Sequence, residues 1–199
     1  MKIFFQHNTL EGLAKVAIGS RAQRGHQKSR DFRGHRLGTA ESYGFIDFTS
    51  AGGAASVHFL EFLEPAKTLW ESLHQAPEDH TPLVELAFAN LASLHRKGLI
   101  HGDLKLNNIM LQGNDFYFID LDGARESTKL RARAKDVARL VTGLSEVDVR
   151  AETTQAPFVS YCKQLDLEAE QILPLIRRFA RRTQDKHLAK YQREAKDIL

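Results

Sequence analysis

His101-Gly102-Asp103-Leu104-Lys105-Leu106-Asn107-Asn108 is followed, after a short apolar hairpin pattern, by Ile119-Asp120-Leu121-Asp122-Gly123. Three acids and an amide fall in loops beside short strand-like runs, just downstream of a long apolar helical pattern. Acids on loops held by a rigid scaffold are a common way to build a site. Asp103 and Asn108 lie five apart on one loop, and Asp120 returns 17 residues after Asp103 on the far arm of the hairpin. Carboxylate and amide oxygens in this pattern suit Mg²⁺, a hard cation that takes oxygen ligands and keeps waters and phosphates. Lys105, between them, supplies a positive charge for a phosphate.

Upstream, Thr81-Pro82 reads as a helix start, with a hydroxyl N-cap and proline at the first helical position. Val84, Ala87, Phe88, Leu91 and Leu94 recur at helical spacing, and Gly98 supplies the stop. The hairpin pairs Ile109-Met110-Leu111 with Phe116 to Ile119 across Gly113-Asn114, where both turn residues tolerate positive φ. Downstream, Leu130, Ala134, Val137 and Val141 mark a helix that is expected to stop near Gly143. The C-terminal third reads as helical, with Ile172, Ile176, Phe179 and Ala180 on one face and Pro174 starting or kinking the segment.

Towards the N-terminus, Lys2 to Phe5 reads as a strand, and about Thr9 to Arg36 as a polar, basic helix interrupted at Gly19 and Gly34. Tyr43 to Phe48 and Ser56 to Leu63 read as two strands of a hairpin turning at Ser50-Ala51-Gly52-Gly53, with Pro65 ending it and a short helix at Leu69 to Leu73. The expected class is α+β. A strand-bearing N-terminal part, residues 1–64, precedes a mostly helical part, residues 65–199.

The 199 residues are 42% hydrophobic and 27% charged, the balance of a folded globular chain. One cysteine, Cys162, excludes a disulfide framework and a multi-cysteine zinc site. The longest run without Asp, Glu, Lys or Arg is Phe48 to Leu60, 13 residues, short of the roughly 20 needed to span a bilayer. The apolar start Ile3-Phe4-Phe5 is too short for a signal peptide. A cytoplasmic location is expected, with peripheral contact on the cytoplasmic face of the inner membrane as its extension. The net charge of +3 is mild, but Lys15 to Arg36 holds seven Lys or Arg against the single acid Asp31. A solvated helix face and contact with an anionic partner both fit this stretch.

The pattern H-G-D-x-x-x-x-N, followed by I-D-x-D-G, resembles the catalytic and metal-binding loops of the protein-kinase-like fold. Gly102 stands where protein kinases usually carry Arg, Asp120-Leu121-Asp122 replaces D-F-G, and little room remains for an activation segment before Lys135-Asp136-Val137-Ala138-Arg139-Leu140. In these respects the stretch from about Thr81 to Leu140 is similar to the lipopolysaccharide core kinases. Those bacterial enzymes use ATP to phosphorylate 3-deoxy-D-manno-octulosonic acid (Kdo) or heptose.

The resemblance implies a two-lobe protein-kinase-like fold with a truncated N-lobe, since the family's glycine-rich loop and its strands have no counterpart ahead of Lys2. It implies that Asp103 accepts the acceptor's hydroxyl proton and that Lys105 stabilises the transferring phosphoryl group. Asn108 and Asp120 would hold Mg²⁺, and Lys2 would meet the ATP α- and β-phosphates. The backbone at Glu61 and Leu63 would face adenine. His101 is read as orienting its loop, and Asp122 as a second acid of open role. No glutamate occurs between Gly12 and Ala40 to pair with Lys2. The implied partner is a phosphorylated glycolipid, met partly through Arg125, Lys129, Arg131 and Arg133, at or near an anionic membrane surface. No nucleic acid is expected. Two alternatives stand beside a lipopolysaccharide kinase: a non-catalytic kinase-like binding protein, and a small atypical kinase acting on protein.

Overall fold

The computed structural model describes residues 1–5, 19–50, 53–76, 79–191 and 198–199. The chain forms two compact units. One comprises Met1–Glu64 with Tyr117–Asp122, the other Pro65–Phe116 with Gly123–Leu199.

In the first unit, β1 (Lys2–Phe5), β2 (Ser42–Ser50) and β3 (Gly53–Leu60) form an antiparallel sheet in the order β1-β3-β2. Lys2 and Phe45 flank His58 across the central strand. A bulge between Ser42 and Gly44 leaves Tyr43 exposed, with Gly44 at φ +146. The second strand of the expected hairpin ends at Leu60 rather than Leu63. The chain leaves the ladder there, exposes Phe62 and turns at Glu64-Pro65, where proline has no N–H to continue a ladder. Residues 51–52 of the expected turn, and 9–18 of the expected helix, lie outside the described residues.

Helix α1 (Arg21–Gly34) is capped by Ser20, whose hydroxyl accepts from Gln23 N at 3.0 Å. It buries Ala22, Gly25, Ser29 and Phe32. Gly25 is obligatory for the approach to the sheet: a Cβ there would lie 2.8 Å from Nδ1 of His58. The Phe32 ring meets Phe118 edge-on, with centroids 6.2 Å apart.

The second unit is mostly helical. After the two-residue strand β4 (Lys67–Thr68), α2 (Leu69–Gln75) opens with a capping box between Thr68 and Glu71. Helix α3 (Thr81–Arg96) buries the expected stripe and adds Ala92 and His95 to it. Its cap differs from the expectation. Thr81 lies inside the helix, because Asp79 takes the Thr81 N–H at 2.9 Å while the His80 carbonyl accepts from Val84 at 3.0 Å and so begins the helical ladder. Gly98, at φ +74, follows the helix end.

The small strands β5 (Leu99–Ile100), β6 (Ile109–Gln112), β7 (Asp115–Phe118) and β8 (Arg125–Glu126) frame two turns of 3₁₀ helix, at Leu106–Asn108 and Leu121–Gly123. In the hairpin turn Gly113 takes positive φ and Asn114 does not. Helices α4 (Leu130–Glu146), α5 (Ala151–Gln164) and α6 (Ala169–Tyr191) complete the unit. Gly143 does not stop α4, which runs on to Glu146. Its missing side chain serves packing instead: a Cβ would lie 2.7 Å from Cγ of Leu106, so the glycine opens a socket for the loop that carries Asp103. Ile172 and Ile176 of α6 are fully buried.

Candidate active site

The loop from His101 to Asn108 is bolted to the core of the second unit by a carboxylate within α4. Asp136 has no exposed surface, and its oxygens accept from His101 N at 2.7 Å and Gly102 N at 3.0 Å. Arg139 Nη1 lies 3.6 Å from one oxygen and His95 Nε2 3.5 Å from the other. His95 accepts the Tyr161 hydroxyl proton at Nδ1, 2.7 Å away. Burial holds the His95 pKa below its ordinary value against the pull of Asp136, and burial raises that of Tyr161. A neutral His95, with Tyr161 as donor, therefore packs beside the buried carboxylate.

Gly102 has two reasons to be glycine. It sits at φ +80, and a Cβ there would run into the Gly123 carbonyl. A Cβ on Gly123 would in turn lie 3.1 Å from the His101 carbonyl oxygen. The two backbones therefore pass closer than side chains allow, which accounts for glycine at the position that is arginine in many protein kinases.

Past Gly102, the Asp103 N–H donates to His101 Nδ1 at 3.3 Å, so His101 does orient the loop. The Asp103 carbonyl accepts from Asn108 Nδ2 at 2.8 Å and from Lys105 N at 3.0 Å. Its carboxylate is flanked by Lys105 Nζ at 2.8 Å and Arg139 Nε at 3.7 Å. Asn108 is buried and donates its amide nitrogen to the loop itself. Asp103, Lys105 and Asn108 thus converge on one loop.

Asp120 and Lys2 belong to the first unit, where they meet: Lys2 Nζ lies 2.5 Å from Asp120 Oδ1 and 3.7 Å from Asp122 Oδ2. Asp120 holds positive φ, +56, a conformation few non-glycine residues adopt. Helix α1 carries no glutamate for Lys2 and presents bases instead. Arg21 Nη2 lies 2.7 Å from Asp122 Oδ2, and Lys28 Nζ donates to the Asp122 carbonyl at 2.5 Å. Arg21 and Lys28 are seven residues apart on α1, two turns along one face. They grip one residue, so Asp122 is the anchor of its loop. Glu61 lies just past β3, reciprocally bonded to Glu41: Glu61 N donates to Glu41 O at 2.8 Å, and Glu41 N donates to Glu61 Oε2 at 3.0 Å. Leu63 is buried.

Four contributors were not assigned from sequence: Asp136, Arg139, Arg21 and Lys28. A signal existed for Asp136, an acid set among Ala134, Val137, Leu140 and Val141 in an otherwise apolar helix pattern. For Arg21 and Lys28 the seven-residue spacing shows a shared face but not its target. A carboxylate and an amide oxygen are donor types that a hard divalent cation takes; Asp120 offers the first in one unit and Asn108 the second in the other. Among the described residues no group of three or more His, Cys, Asp or Glu is clustered to hold a metal without help from other ligands.

The family model described as lipopolysaccharide kinase (Kdo/WaaP) matches residues 49–160, more than half of the sequence. The chain belongs to that family. Among solved structures, this Kdo/WaaP family member is similar to WaaP in complex with acyl carrier protein, with a TM-score of 0.63 and 19% identity, covering 80% of this chain and 76% of that one. It is also similar to a divergent kinase lacking the glycine-rich loop that regulates membrane ultrastructure of the Toxoplasma parasitophorous vacuole. There the TM-score is 0.52 with 17% identity, covering 88% and 67% of the two chains. These likenesses establish a kinase-like α+β fold. A probable bifunctional tRNA threonylcarbamoyladenosine biosynthesis protein of Methanosarcina mazei is 28% identical over 101 residues. That alignment takes in 51% of this chain but spans only 18% of the relative's length. No helix among the described residues is long and apolar enough to cross a membrane.

Proposed function

We propose that this Kdo/WaaP family member transfers the γ-phosphoryl group of ATP to a sugar hydroxyl of the lipopolysaccharide inner core, on Kdo or heptose. The observation that carries this reading is the setting of Asp103. Its N–H, its carbonyl and its loop are each held by a separate hydrogen bond, while its carboxylate stands between two cations. A carboxylate fixed in this way can align a hydroxyl and take its proton as the oxygen–phosphorus bond forms and the bond to ADP breaks. Lys105 offers charge to the phosphoryl oxygens. Asn108 and Asp120 are the proposed Mg²⁺ ligands, and Lys2 the proposed partner of the α- and β-phosphates. The backbone at Glu61 and Leu63 is the proposed adenine contact. Bound there, Mg²⁺ would neutralise phosphate charge. Peripheral adsorption to an anionic membrane from the cytoplasmic side would bring the enzyme to a glycolipid acceptor.

The test is transfer of ³²P from labelled ATP to a Kdo-lipid A acceptor, comparing the parent with Asp103→Ala. Incorporation in the parent, with a loss of at least 10²-fold in the variant, is expected; equal incorporation would reject the role of Asp103. A second reading, a kinase-like binding protein without catalysis, draws support from the Lys2–Asp120 pair, which engages the expected phosphate-binding lysine with the expected metal ligand. Mg-ATP stabilising the parent against heat, and Mg²⁺ or ATP alone doing less, would speak against it.

A further inference from the structure

Beside the catalytic loop, the second unit carries an open cleft of about 300 Å³ lined by Arg125, Glu126, Ser127, Lys129, Arg131 and Lys135. Four cations face one acid. Among the described residues, no carboxylate lies within ion-pair distance of any of the four. The Arg125 guanidinium donates to the Gly123 carbonyl at 3.2 Å. Arg131 and Lys135 lie over the Phe179 ring, 5.4 and 5.3 Å from its centroid. Such stacking fixes a cationic head while leaving N–H donors at its edge for a ligand.

The cluster also stands where its charge is least welcome. Lys129 caps α4 and Arg131 is in its first turn, with no acid in that turn and no side-chain cap. Cations at the positive end of a helix dipole are disfavoured. Apart from the Phe179 stack, the helix end works against them there, so the concentration of charge calls for an anionic occupant.

Two connections tie the cleft to the site. Arg125 pairs with Ile100 in the β5–β8 ladder, three residues before Asp103 in the chain. Lys135 lies one helical turn before Arg139, whose guanidinium reaches Asp103. We infer that this cleft binds a phosphate group carried by the acceptor and so positions its hydroxyl for Asp103. The inference rests on the phosphotransfer reading for the purpose of the site, but not for the binding itself.

The experiment uses the full chain and Lys129→Glu/Arg131→Glu. Both residues are exposed, and acids at these positions suit the helix dipole. The dipole gain offsets the lost Arg131–Phe179 stack, so the variant should melt close to the parent. Calorimetry with inorganic pyrophosphate at fixed ionic strength should show binding weakened at least 10-fold in the variant and kept within about threefold in Arg131→Lys. Turnover of Kdo-lipid A should show a raised acceptor KM with kcat and the Mg-ATP thermal shift unchanged, and dephosphorylating the acceptor should raise KM in the parent but not in the variant. Vesicles of phosphatidylglycerol, if they bind parent and variant alike, place membrane adsorption elsewhere and keep the cleft for the sugar phosphate. Equal pyrophosphate binding by parent and variant would overturn the inference, as would tight binding of duplex RNA lost in the same variant while the acceptor KM stays put. Intact pyrophosphate binding with no turnover of any acceptor would instead reject the phosphotransfer reading and leave the anion site standing.

Discussion

Replacing Asp136 by Asn tests what holds the loop that carries Asp103. The carboxylate is fully buried and accepts from two backbone N–H groups, at 2.7 and 3.0 Å. An amide whose oxygen takes the Oδ2 place keeps His101 N and reaches Gly102 N only at 3.3 Å, while its NH₂ replaces the oxygen that Gly102 N approaches at 3.0 Å, donor against donor. Losing a charge-assisted hydrogen bond removes about 1.5–3 kcal/mol, and a buried N–H left unsatisfied adds about 1–3 kcal/mol. Shared between the same groups, these effects amount to about 2–4 kcal/mol. In a chain of this length each kcal/mol moves Tm by roughly 2–4 °C, so a fall of roughly 4–16 °C is expected.

The functional effect should exceed the stability effect. Asp103, the proposed proton acceptor, follows the freed N–H directly in the chain, and misplacing such a group by about 1 Å can lower the rate by about 10²-fold. The assay combines thermal melting, hydrogen exchange on peptides spanning 99–108, and turnover. Protection should be lost at residues 101–103 first, with the Mg-ATP thermal shift kept while kcat falls. An Asp136→Asn protein that melts within about 1 °C of the parent, with unchanged exchange at 101–103, would refute this reasoning.

Gly143→Ala gains about 1 kcal/mol of helix propensity but sets a methyl 2.7 Å from Leu106, an overpacking cost of about 1–3 kcal/mol. It should be neutral to mildly destabilising in melting experiments yet lower kcat, and Leu106→Val in the same chain should restore turnover. Arg21→Ala breaks a pair exposed on both sides, worth about 0–1 kcal/mol, so Tm should hardly move while hydrogen exchange at 119–123 rises. Stability should fall in acid. Burial lowers the pKa of His95 and of His58, so the unfolded chain takes up protons first. The stability these neutral histidines contribute is fully present above about pH 6.5. It is lost as pH drops below that value, at up to about 1.4 kcal/mol per pH unit for each histidine, which urea titrations at pH 7.5 and 5.5 will read. Burial pushes the Cys162 thiol up to about 11, so it should resist alkylation in the native chain at pH 7.5 and react on unfolding, and His95→Gln should not change this.

Much of the second unit was legible because its signals are local. The α3 stripe and the stop at Gly98 are written in side chains a few residues apart. The loop acids declare themselves by spacing, and Asp103 and Asn108 do share one hydrogen-bonded turn. Errors came where a residue's role was set by something distant in sequence. Gly143 reads as a helix stop but is a socket for Leu106, 37 residues away; the Thr81 cap differs for a local reason, because Asp79 takes its N–H.

The sequence by itself determined which residues are chemically able to act, because residue type and short-range periodicity need only the chain. Tertiary structure alone decided how they are held. The Gly102–Gly123 approach, the Asp136 carboxylate that holds the Asp103 loop, and the Arg21 and Lys28 grip on Asp122 all join segments separated by many residues. Such contacts depend on which helix faces which loop, a choice made by burial of the whole core and not by any short stretch of sequence.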